Sequence, residues 1–235
     1  MVRVFDKNMF VMTFSVMIGF IIVTYFIADI VHQSQIQALN TEHKFEIESI
    51  EENNINFTSS FLESSVLLDS AREERAFGNY HFDIAHLFYT SALSERNESL
   101  CNRYKEQCIS NSTKAMPNYL TSHYNFLEAS KFFEVTKEYT VYENYIHLLT
   151  LYVNLTLSGA RLTFLRYNAS NYMKMLAENI TYVNGSGILE NVTELLMLFN
   201  ETMVMYGAEM GSYEEYMEEI DEYDIKGFST IREPT

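Results

Sequence analysis

The chain has little with which to turn. Only two prolines, Pro117 and Pro234, and eight glycines occur in its 235 residues, and turn chemistry built on Gly, Pro and Asn-Gly pairs is too sparse for a large sheet. An all-α fold is expected. Cysteine is as scarce: Cys101 and Cys108 bracket NRYKEQ, the wrong spacing for a metal or redox CxxC. In an oxidising compartment the two are expected to pair, closing a loop that contributes about 2 to 3 kcal/mol in the chain-entropy picture. Basic residues are outnumbered, 16 against 32 acidic ones, for a net charge of −16. Such a surface repels phosphate, so no nucleic-acid role is expected, and it favours solubility, cations or basic partners.

Catalytic signatures are missing too. The sequence has no P-loop and no dinucleotide fingerprint, and Gly185-Ser186-Gly187 is a turn rather than a nucleophile elbow. His81, Asp83 and His86 hold one incomplete dimetal motif with no second copy, while Glu143 and His147 share a helix face without a further ligand. The acids of SYEEYMEEIDEYD do not follow the calcium-loop pattern and read as a solvated helix face. No catalytic residue, metal ligand or cofactor is expected, and the chain is not read as an enzyme.

What the chain does have is one long apolar run. Residues 9–28 carry no charge and reach the ~20 residues needed to cross a ~30 Å hydrocarbon core as a helix. Arg3 and Lys7 precede the run, and no further Lys or Arg appears until Lys44, which places the N-terminus in the cytoplasm. The run is too long for a signal-peptide core and lacks an A-x-A cleavage pattern, so it reads as an uncleaved signal-anchor. Ser15 and Gly19 form a small-xxx-small pair that would admit a partner helix within the membrane. No second span is expected: Leu148 to Leu157 is apolar but short, and Arg161 and Arg166 follow it.

Nine Asn-x-Ser/Thr sequons, at Asn56, Asn97, Asn111, Asn154, Asn168, Asn179, Asn184, Asn191 and Asn200, all follow that run. Since the motif is an acceptor only on a translocated segment, they agree with an outside C-terminal domain and mark expected N-glycosylation sites. The acidic balance and sequon density are compatible with an archaeal envelope, and do not decide between an archaeal and a eukaryotic cell.

The expected organisation is a cytoplasmic tail at 1–8, a transmembrane anchor at 9–30, an extracytoplasmic helical domain at 31–226 and a C-terminal tail at 227–235. Within the domain, Ile36, Leu39, His43, Ile47, Ile50, Asn54, Phe57, Phe61, Ser64, Leu68 and Ala71 recur at three- and four-residue spacings. This seam predicts that the anchor continues outward as a coiled-coil-like stalk helix, 31–77, ending before Gly78. A second helix is expected over 80–95 and a disulfide loop over 96–117. Helices then follow over about 118–137 and 141–183, with the turn near Val135 to Val141. Asn154, Asn168 and Asn179 fall on one face of the latter, so that face should point outward. The arcs beside it, Leu148, Leu151, Leu155 and Leu162 on one side and Val153, Leu157 and Phe164 on the other, should pack inward. Gly185 and Gly187 predict a turn, followed by a helix over 188–206, a break at Gly207 and Gly211, and a short acidic helix.

Ala85-x-x-x-Tyr89-x-x-Ala92-Leu93 resembles the second helix of a tetratricopeptide unit, which would imply a peptide-binding solenoid. It covers one half-repeat, and without a 34-residue period a bundle is the expected architecture. The layout, a span feeding directly into helices, is similar to that of four-helix sensor domains. The sequence therefore points to a non-enzymatic single-pass membrane glycoprotein: a structural or accessory subunit of an envelope or membrane complex, or alternatively a cell-surface receptor, sensor or helical-repeat peptide-binding module. Its expected partners are the lipid bilayer, a membrane or envelope protein, and a second copy through the stalk.

Overall fold

A computed structural model of the chain describes residues 7–223, with side chains from Thr24 onward. It contains four long helices and one small hairpin. Helix α1 spans Lys7–Ser94, α2 Glu98–Thr136, α3 Glu143–Glu178 and α4 Thr193–Glu222, while strands β1, Ile180–Val183, and β2, Ser186–Leu189, link α3 to α4. The all-α expectation holds apart from that hairpin. The chain divides into two compact units, Met1–Asn54 and Ile55–Thr235, and α1 contributes to both.

In the first unit the backbone is helical from Lys7, and every residue from Thr24 to Asn54 is exposed. Short side-chain contacts run along its surface, a His43 Nδ1 to Glu46 contact at 3.3 Å and a Lys44 to Glu48 ion pair at 3.8 Å. Exposed pairs of this kind contribute little stability. The 1–8 tail, most of the 9–30 anchor, and the Ser15 and Gly19 contact lie outside the residues described with side chains, as does the 227–235 tail.

In the second unit, three clusters of buried residues define how the helices run. Leu68, Phe126, Leu155 and Tyr213 share the first cluster, and Phe82, Tyr119 and Met173 share the second, with Phe199 packed against it. Ala92, Cys101 and Ile180 form the third. Chain order through the clusters rises in α1, falls in α2, rises in α3 and falls in α4. Successive helices are therefore antiparallel, as short connections dictate. The hairpin lies at the end shared by the α1–α2 connection.

Several expected boundaries are corrected. Gly78 does not end a helix, because α1 runs through it to Ser94. A Cβ at that position would lie 2.7 Å from the ring of Tyr119, so this glycine serves close helix packing rather than termination. The expected loop at 96–117 is helix: Asn97 caps α2, its side chain accepting from Leu100 N at 3.2 Å, and the helix continues past Pro117. Proline removes one helical hydrogen bond, but Pro117 and Thr113, whose carbonyl loses its partner, are both exposed and open to water. Gly207 and Gly211 likewise lie inside the unbroken α4.

The turn expected near 135–141 falls at the 3-10 segment Lys137–Tyr139 and the extended Thr140. The helix expected to reach 183 ends at Glu178 and gives way to the hairpin. There Val183 pairs with Ser186, leaving Asn184 (φ 52°) and Gly185 (φ 89°) as a two-residue turn. Both positive angles are what a type I′ hairpin turn requires, and Asn-Gly is its preferred sequence.

Among the described residues, α3 is long and apolar enough to cross a membrane, with half of the qualifying stretch buried inside the fold. The sequence reading had withheld a second span from this region. Its apolarity has a nearer explanation: α3 carries fourteen buried residues, against twelve in α2 and two in α4, and shares the core with its neighbours. Helices of 39, 36 and 30 residues also leave no place for a repeat of 34-residue helix pairs, so the tetratricopeptide resemblance does not extend to the architecture.

Candidate functional site

Two adjoining cavities lie on the second unit. The first, of about 380 Å³, is walled by Phe57 and Phe61 of α1, Tyr145, Leu148, Leu149 and Tyr152 of α3, and Ile220 and Tyr223 at the end of α4. The heptad spacing brings Phe57 and Phe61 onto one face, where their rings stack at 6.2 Å. Phe57 meets Tyr145 edge-on at 5.9 Å and Phe61 meets Tyr152 at 6.1 Å. These are ordinary distances for favourable aromatic pairs. The second cavity, about 410 Å³, shares Tyr152 and Ile220 and adds Asp69, Arg72 and Asp221. Arg72 approaches Asp69 at 3.8 Å and its Nε donates to Tyr213 at 3.4 Å.

Together they make an aromatic trough with a charged end. It suits an apolar or aromatic group bearing a polar terminus. Sequence periodicity marked Phe57 and Phe61 as core positions, but nothing in the sequence revealed that α3 and α4 leave a gap beside them.

The structure sorts the nine sequons. Asn97, Asn179, Asn184, Asn191 and Asn200 are exposed, Asn56, Asn154 and Asn168 are half-buried, and Asn111 is buried. Asn111 also uses both amide atoms: Nδ2 donates to the Gln107 carbonyl at 2.9 Å and Oδ1 faces His81 Nδ1 at 3.3 Å. A glycan there conflicts with the folded packing. On α3, Leu151, Leu155 and Leu162 are buried as expected, Leu148, Val153 and Leu157 are half-buried, and Phe164 is exposed. The Asn154, Asn168 and Asn179 stripe thus emerges fully only at Asn179. Its hydroxyl partners Thr156 and Ser170 are buried and donate to carbonyls of their own helix.

The expected disulfide is absent, and Cys101 and Cys108 are buried free thiols. Seven residues apart on one straight helix, they are separated by ~10.5 Å of axial rise, beyond the ~7 Å Cα separation a disulfide can span. The error followed from reading 96–117 as loop. Cys101 Sγ instead donates to the Ala92 carbonyl at 3.2 Å, and burial pushes the Cys108 thiol up to about 12, against a smaller lowering from the neighbouring Ser112 hydroxyl. A thiol so placed is protonated at neutral pH and a poor nucleophile.

Of the other candidates, His81 is half-buried, Asp83 and His86 are exposed, and the His147 ring stacks on Tyr223 at 5.3 Å. Among the described residues no group of His, Cys, Asp or Glu is arranged to hold a metal ion.

The sequence reading also missed two arginines set among aromatic rings. Arg166 lies 4.3 Å from Phe82 and 4.1 Å from Tyr206, and Arg75 lies 4.4 Å from Tyr213. These cation–π contacts stabilise charges that would otherwise be costly inside the fold. Compared with protein-family models, curated proteins and solved structures, the chain matches none of them.

Proposed function

We propose that the protein is a non-enzymatic, single-pass membrane glycoprotein that acts as a structural or accessory subunit of an envelope or membrane complex. The supporting observation is the continuous exposure of apolar residues along the membrane-proximal part of α1. Tyr25 is 79% exposed, Phe26 66%, Leu39 53% and Ile50 60%, on a helix whose later residues are buried by the chain itself. Such a surface fits burial against lipid at its beginning and against protein beyond it. The uncharged run at residues 9–28 supplies the anchor in this reading, with the N-terminus inside and the sequon-bearing domain outside.

Extraction in mild detergent followed by native mass measurement tests the proposal. The expected species is heavier than one chain with its glycans, by the mass of a stoichiometric partner. A strictly single-chain species would sink it. The aromatic trough favours a second reading, a receptor or sensor for a small amphiphile. That reading requires a ligand to raise the melting temperature by mass action, and a broad screen without a shift would remove it.

A further inference from the structure

The heptad seam of α1 does not stop where its own chain stops covering it. Asn40, Ile47, Asn54, Phe61 and Leu68 recur every seven residues, and so do Ile36, His43, Ile50, Phe57 and Ser64. These are the two core positions, a and d, of one coiled-coil register. In the second unit the register is filled: Leu68 is buried, and Phe61 packs against the same cluster as Phe133 and Leu155. In the first unit the same register is open, with Ile36 44%, Ile47 57% and Ile50 60% exposed. Among the described residues the register is therefore filled by the chain itself over its second half and exposed at Ile36, Ile47 and Ile50 over its first.

Charge decides what the missing partner is. Residues 42–52 hold five glutamates against one lysine, Lys44, which already pairs with Glu48 at 3.8 Å. Glu46 and Glu51 occupy the positions flanking the seam, g and e. Two copies anchored the same way would lie parallel, setting Glu46 of each against Glu51 of the other on both sides of the pair. The preceding flanking pair, Leu39 with Lys44, offers no compensating attraction.

We infer that this face takes a basic amphipathic helix from a different protein, one with an aliphatic heptad seam and Lys or Arg beside it, rather than a second copy. The inference rests on the accessory-subunit reading and specifies the chemistry of the partner.

The test uses the full chain in lipid nanodiscs and three synthetic peptides of about four heptads: aliphatic at a and d with lysine at e and g, the same with glutamate, and a scrambled version of the basic one. Fluorescence anisotropy should show the basic heptad peptide binding at least about tenfold more tightly than its scramble, with affinity falling as salt screens the flanking charges. Ile47→Asn with Ile50→Asn should erase that difference, and Glu46→Lys with Glu51→Lys should transfer the preference to the acidic peptide. Because these side chains are exposed, the variants should fold as the parent does. Equal binding of the scramble would overturn the inference, as would a dimer of the chain alone that Ile50→Asn dissolves. A native partner that survives the Ile47→Asn, Ile50→Asn change would also overturn it while leaving the accessory-subunit role intact.

Discussion

Gly78 lies under the ring of Tyr119, and Gly159 under that of Phe126, where added Cβ atoms would stand at 2.7 Å and 2.6 Å. Neither ring can retreat easily: both are fully buried, and Tyr119 is tethered by its hydroxyl to Asn79 at 2.8 Å. Gly78→Ala and Gly159→Ala should therefore each cost about 1 to 3 kcal/mol by overpacking. Gly207 and Gly211 are helical too, but an added Cβ there meets nothing within 4 Å. Replacing either with alanine should raise stability by about 0.5 to 1 kcal/mol, since only the backbone entropy changes. Urea denaturation followed by circular dichroism reads both signs, and a uniform response across the four would contradict this division. At Cys108 the relevant variable is pH. The folded thiol titrates near 12, above its ordinary value of 9.0, so its stabilising contribution is complete below pH 9, where the thiol is neutral in both states. It declines as pH rises from 9 towards 12, because the unfolded thiol ionises first. Between pH 7 and 10 the loss should be about 1.4 kcal/mol. Burial shifts Tyr89 and Tyr119 upward as well, so the informative quantity is the difference in slope between the parent and Cys108→Ala.

The elements were legible where periodicity carried them and illegible where one local signal could mean two things. Phe57, Phe61, Ser64, Leu68 and Ala71 announced a helix face, and all of them reach the core or its margin. Gly78, Gly207 and Gly211 were read as helix ends because glycine is a common terminator. Their actual distinction, close packing in one case and open space in the others, depends on neighbours distant in sequence. The hairpin at Ile180–Leu189 was missed for the converse reason: the overall shortage of turns outweighed one Asn-Gly pair that was locally sufficient. Asn111 shows the same limit for the candidate glycosylation sites, since its motif is intact while the α2 face that carries it is inside. Glycopeptide mass spectrometry of the native protein should find glycan at exposed sequons such as Asn97, Asn184 and Asn191, with none at Asn111. Asn111→Gln should then leave the glycan mass unchanged and cost about 1 kcal/mol through the disturbed hydrogen bonds. Full occupancy of Asn111 would mean that α2 does not pack in this way.

At the scale of the molecule, all the residues that form the three buried clusters, or pack on them, begin at Phe57. The division between Asn54 and Ile55 is thus a division between a segment without a buried side chain among its described residues and one with a complete core. Removing residues 1–54 takes away no member of the three buried clusters, but it does delete the uncharged run and the exposed aliphatic seam. The remaining chain should unfold cooperatively within about 3 °C of the parent, a shift corresponding to about 1 kcal/mol or less for a domain of this size. It should also stay in solution without detergent, its acidic surface opposing association. Extending the deletion through residue 80 would remove Leu68 and Ala71 from the core, Phe57 and Phe61 from the trough and Gly78 from beneath Tyr119. Cooperative unfolding should then be lost, because α2, α3 and α4 would expose the faces that α1 covers. Calorimetry of the two truncated chains checks the pair of outcomes. A large drop in melting temperature on removing only residues 1–54 would show that the membrane-proximal segment supports the helical domain, and would end the view of it as a surface kept free for a partner.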